Sequence, residues 1–151
     1  KVCYQRISEN VANKKPVLKI LISVISVLSI VSILGFGILY VIAPKLAEFI
    51  FGTEYGSTGI YIRNLCIMYA VRLVATSFNG IYTVFKKQFF ELVVNILLIT
   101  TAILSYTLCY LFKYNEVIYL RSINIGYTVV YLLVLIGYIV VCKKYDNKIK
   151  G

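Results

Sequence analysis

The sequence contains no histidine, no tryptophan, one methionine, four cysteines and only 6 acidic residues in 151. Without histidine, and with Cys3, Cys66, Cys109 and Cys142 far apart, a zinc site has no ligand set to draw on. The same absence, with acids that stand singly, removes the usual groups for acid–base or metal-assisted catalysis, so neither enzyme activity nor a cofactor is expected. Charge is scarce too: 15% of residues are charged and 60% are hydrophobic, whereas an average soluble domain has about 25% and about 45–50%. A soluble domain of this length cannot bury that apolar excess. Soluble enzymes and soluble binding modules are excluded. No secretory signal is expected from this stretch, because the first apolar run is too long and lacks a small-residue cleavage site. Nor is there an initial methionine, and the expectation is a portion of a longer protein.

What is present is a set of long uncharged runs. Ile20 to Pro44 is 25 residues, and Leu92 to Phe112 and Ser122 to Cys142 are 21 each; about 20 suffice to span a bilayer. The stretch from Thr58 to Phe85 has the right length but carries Arg63 and Arg72. Leaving it out would strand a long apolar segment in water, so it is read as a fourth span with functional charge. The fold class expected is therefore all-α and polytopic, with spans at about 17–43, 58–85, 90–112 and 119–142. They follow a polar segment, 1–16, and precede a basic tail, 145–151.

The formal net charge of +10 would suggest nucleic acid in a soluble chain. Here the cations flank the spans. Lys1, Arg6, Lys14, Lys15 and Lys19 precede span one, Lys86 and Lys87 join spans two and three, and Lys143, Lys144, Lys148 and Lys150 follow span four. The positive-inside rule then puts both termini in the cytoplasm and removes any need for a nucleic-acid partner. Three spans, with segment two on the surface, would leave the last lysine cluster outside. Tyr40, Tyr55, Tyr61, Tyr114 and Tyr119, near the outer boundary, stand in for the missing tryptophan belt.

Span two carries the chemistry. At about 100° per residue, Tyr69, Arg72, Thr76, Asn79 and Thr83 fall within an arc of about 80°. A charge at the depth of Arg72 costs about 2.5–3.5 kcal/mol on insertion scales unless it meets water or a partner. Either Arg72 lines a wet cavity or it bonds carbonyls of a neighbouring helix; the polar stripe favours the cavity. Arg63 points about 180° away and is within snorkelling reach of the outer surface. Glu91 is read beside Lys86 and Lys87, with no acid at mid-span and hence no proton relay. A fixed cation among neutral polar groups suits an anionic or sugar-like cargo.

The other spans read as structural. Ser23, Ser26, Ser29, Ser32, Gly35 and Gly37 form a small-residue ridge for close packing. Asn95, Thr100, Thr101, Ser105, Asn124 and Thr128 suit interhelical bonds. Pro44 is expected to start a short interfacial helix over 45–51, and the cysteines are expected to act as small apolar fillers.

Three runs, Pro44-Lys45-Leu46, Phe49-Ile50-Phe51-Gly52-Thr53-Glu54-Tyr55 and Tyr61-Ile62-Arg63-Asn64-Leu65, resemble the C-terminal part of Wzx-type polysaccharide flippases. These belong to the MATE-like multidrug/oligosaccharidyl-lipid/polysaccharide superfamily. The basic turn Lys86-Lys87-Gln88 and two following apolar helices extend the resemblance over Lys14 to Lys144. At span four, Ile118-Tyr119-Leu120-Arg121-Ser122 stands where that family often has a glycine-rich entry. The resemblance implies the last four helices of a MATE-like lobed transporter in a bacterial cytoplasmic membrane. It implies as partners a lipid-linked (undecaprenyl-pyrophosphate) oligosaccharide, membrane lipids and the remaining helices. Arg63 matches the arginine of the family's helix-start segment. Arg72, inferred from depth and face alone, would attract pyrophosphate or an acidic sugar, with Thr76, Asn79 and Thr83 bonding hydroxyls. The alternative is a small four-helix accessory protein of the GtrA-like kind, acting in polyprenyl-linked sugar metabolism.

Overall fold

The computed structural model describes residues 2–150, with the side chains of residues 2–4, 57 and 150 left aside, so Lys1 and the Cys3 thiol lie outside the described parts. The chain is all-α: α1 (Val2–Ala12), α2 (Leu18–Phe51), a 3₁₀ turn (Thr53–Tyr55), α3 (Gly56–Thr76), α4 (Ile81–Val84), α5 (Gln88–Leu111) and α6 (Glu116–Lys150). Four segments are long and apolar enough to cross a membrane, Leu18–Phe51, Thr58–Val84, Gln88–Leu111 and Glu116–Ile149. That is the build of an integral multi-pass membrane protein.

Three features depart from the sequence expectation. First, no new helix starts at Pro44, because α2 runs through it to Phe51. Its 34 residues reach about 51 Å at 1.5 Å per residue, well beyond a hydrocarbon core of about 30 Å. Pro44 cannot bond the Tyr40 carbonyl, a loss that membrane helices tolerate where neighbours close around the backbone. Second, the 58–85 span is broken. α3 ends at Thr76, and Gly80, with φ 98°, turns the chain into α4. Thr76 and Ser77 turn their hydroxyls onto the carbonyls of Arg72 (2.8 Å) and Leu73 (2.7 Å), and Asn79-Gly80 is a turn-forming pair. Third, residues 145–149, read as a basic tail, continue α6 as helix.

The helix ends have consistent chemistry. Lys14, Lys86 and Lys113 sit just past α1, α4 and α5 at φ 51°, 54° and 51°. Behind each lysine a Schellman bond closes the helix: Lys15 N–H to Asn10 O (2.8 Å), Lys87 N–H to Tyr82 O (2.7 Å) and Tyr114 N–H to Cys109 O (3.0 Å). A cation there also complements the negative end of the helix dipole.

The buried core gathers at the end of the bundle that carries both termini. Ile7, Val17, Leu21, Phe78, Ile81, Tyr82, Tyr138, Val141 and Cys142 pack there, with Tyr82 and Tyr138 ring centres 4.8 Å apart. The start of α2 has no capping side chain of its own. Instead Asp146, nearly buried, accepts the backbone N–H groups of Val17 (2.9 Å) and Leu18 (3.1 Å). The neighbouring Tyr145 hydroxyl donates to the Val11 carbonyl (3.0 Å), tying the end of α1 to α6.

Polar side chains join the spans elsewhere. Ser32 donates to the Ala70 carbonyl (2.7 Å), Ser122 to the Ser105 hydroxyl (3.2 Å), and the Asn124 amide to the Asn64 carbonyl. Thr100 and Thr101 bond carbonyls of their own helix instead. The small-residue ridge packs at Ser32 only in part as expected, since a Cβ at Gly35 or Gly37 would meet nothing within 4 Å. The close approach is at Gly59, where a Cβ would fall 2.8 Å from the Ala43 carbonyl oxygen and 2.9 Å from the Pro44 nitrogen. The neighbours there are backbone and cannot move aside.

Gly59→Ala is therefore expected to lower the melting midpoint in detergent, at about 1–3 kcal/mol for overpacking. Gly35→Ala should leave it unchanged or raise it slightly. Asp146→Ala should also destabilise, by about 1–2 kcal/mol for the lost helix cap, with Asp146→Asn between it and wild type. Thermal unfolding followed by circular dichroism checks all four.

Candidate functional site

A cavity of about 230 Å³ opens between α3, α4, α5 and α6. α3 contributes Arg72, Ala75 and Thr76, the turn Asn79, and α4 Tyr82. α5 adds Glu91, Val94, Asn95 and Leu98, and α6 adds Tyr131, Val134 and Tyr138. The α5 set recurs at steps of three and four, and the α6 set at three, four and seven, so each helix turns one face inward.

The polar groups here keep bonding capacity to spare. The Arg72 guanidinium lies 5.6 Å from the Tyr69 ring centre and has no hydrogen-bond partner among the described residues. Its alternative reading, an arginine bonded to neighbouring carbonyls, does not hold in this arrangement. Asn79 and Asn95 are exposed to the cavity and each side-chain amide offers both donors and an acceptor. Thr76 donates its proton to Arg72 O, which leaves its oxygen lone pairs to accept. The site thus offers a cation, a carboxyl group at Glu91, and neutral groups able to bond hydroxyls. Such a set is tolerated within a membrane bundle only where water or a polar ligand reaches it.

Of the residues singled out from the sequence, Arg72, Thr76 and Asn79 share this cavity. Tyr69 sits beside Arg72 but is not in the lining. Thr83 is exposed on α4 and also lies outside the lining, because the break at 77–80 ends the 100° count that linked it to Thr76. Arg63 faces elsewhere, its guanidinium carbon 4.4 Å above the Tyr40 ring of α2. Glu91, Asn95 and Tyr131 join the site unforeseen. The i, i+4 spacing of Glu91 and Asn95 is a usable signal, hidden by reading Glu91 as the start of span three beside Lys86 and Lys87.

In a background with the native cysteines replaced, Thr76→Cys, Asn79→Cys and Asn95→Cys should react with a charged, membrane-impermeant thiol reagent. Leu97→Cys and Ile99→Cys, on the outward faces of α5, should stay protected in the bilayer. Equal protection at all five positions would mean that the cavity is dry.

No protein-family model, no curated protein and no solved structure matches this chain, so its chemistry is read from the site itself.

Proposed function

We infer that the chain is the membrane-embedded part of a transporter, and that the α3–α6 cavity binds the anionic head of a lipid-linked oligosaccharide during its transfer across a bacterial cytoplasmic membrane. The observation that carries this reading is Arg72, without a hydrogen-bond partner for its guanidinium among the described residues, at the wall of a polar cavity inside an otherwise apolar bundle. An arginine is suited to phosphate or carboxylate by charge and by its fork of donors. Thr76, Asn79 and Asn95 supply the hydroxyl-bonding groups that a saccharide requires. The resemblance of the 44–65 region to Wzx-type flippases supports the same substrate class. The lysine-flanked spans support an orientation with both termini in the cytoplasm. The reaction is transport, with no bond made or broken, and Arg63 lies outside the cavity that carries it.

The test is export. Arg72→Leu in the intact protein, at matched membrane expression, should cut surface polysaccharide at least about tenfold, the scale of one lost charge-assisted contact. Arg72→Lys, which keeps the charge and loses the fork, should fall between. Wild-type polysaccharide from Arg72→Leu would sink the proposal.

A further inference from the structure

A second site lies on the opposite side of α3, facing α2. Phe36, Gly37 and Tyr40 of α2 and Cys66, Ile67 and Ala70 of α3 line an apolar groove of about 390 Å³. It continues toward the terminal end through Ser29, Ser32, Val74 and Leu132, sharing Ile33, Ala70 and Val71 with that lower stretch. From Ser29 to Tyr40 the helix rises about 16 Å, close to half of a hydrocarbon core of about 30 Å. The groove therefore matches one leaflet, the one farther from the chain termini.

Few polar atoms face the groove. The Cys66 thiol donates to Ile62 O (3.3 Å) and the Ser32 hydroxyl to Ala70 O (2.7 Å), so these two are satisfied within the protein, and the remaining lining is apolar apart from the Ser29 and Tyr40 hydroxyls. At its mouth the situation reverses. Tyr40 closes the groove, and the exposed Arg63 guanidinium lies 4.4 Å over that ring. No carboxylate among the described residues pairs with Arg63, whose one close contact is the ring face. A cation stacked on an aromatic keeps its outward edge available for an anion. An apolar channel one leaflet long, ended by an unpaired cation at the interface, is complementary to a chain with an anionic head.

We propose that the α2–α3 groove holds one acyl chain of an anionic phospholipid, with its phosphate on Arg63. A zwitterionic phospholipid fits the groove equally well but brings its own cation to the head, so charge favours the anionic class. The site is separate from the α3–α6 cavity and does not depend on what that cavity transports.

Reconstitution of the full chain in phosphatidylcholine nanodiscs containing phosphatidylglycerol, followed by transfer to mild detergent and native mass spectrometry, tests it. Wild type should retain phosphatidylglycerol in preference to phosphatidylcholine. Arg63→Gln should retain about fivefold less phosphatidylglycerol, while Arg63→Lys keeps most of it. Gly37→Leu projects into the groove from a position where an added Cβ would meet nothing within 4 Å, and its circular dichroism is expected to match wild type. It should release both lipids. Equal retention of the two lipids by wild type, or undiminished phosphatidylglycerol in Arg63→Gln or Gly37→Leu, overturns the proposal. So does disulfide-linked dimer formation through Gly37→Cys in the nanodisc, which would put a second copy in the groove.

Discussion

The start of α2 presents backbone N–H groups with no local side chain to receive them, and α6 delivers a carboxylate to that point from 129 residues away. Asp146 accepts from two successive N–H groups and sets its charge against the positive end of the α2 dipole. The first and last spans are thereby held together at the terminal end, and the buried core forms around that junction. Ile7 of α1 and Cys142 of α6 are both fully buried in the same cluster as Val17 and Leu21. With that end closed, the spans meet their neighbours away from it through single polar contacts such as Ser32 to Ala70 and Ser122 to Ser105.

Closure at one end gives the break in the second span its effect. A continuous helix from 58 to 85 would have carried Asn79 and Thr83 along one line. The turn at Gly80 instead lets Tyr82 fold into the aromatic cluster with Tyr138, while Asn79 stays at the cavity wall. α5 then brings Glu91 and Asn95 into the same cavity as Arg72. α3 consequently serves two surfaces of opposite character, a polar cavity on the Arg72 side and an apolar groove on the Arg63 side. Their separation follows from the nine-residue step from Arg63 to Arg72, about two and a half helical turns.

Span number, approximate span length and the opposed directions of the two arginines were legible in the sequence. Each depends on counts along one chain segment: uncharged run length for spans, and 100° per residue for faces. Arg72, Thr76 and Asn79 were found this way because they lie within or just past one helix. Glu91 was not, because its nearest charged neighbours in sequence are lysines that the fold uses at a helix end. Lys86 occupies the left-handed position of a Schellman turn. The passage of α2 through Pro44 was likewise hidden, since proline's preference for a first helical turn is local and the close α3 backbone at Gly59 is not.

Reading along the chain alone is enough for an all-α membrane protein with four apolar spans and an arginine near the middle of the second. Those properties follow from transfer of single side chains and single helices out of water. Which groups share a cavity, which carboxylate caps α2, and which groove ends at Arg63 emerge from the folded arrangement. These depend on contacts between residues far apart in the chain, where crossing geometry and backbone approach choose the partner and no local periodicity records the choice.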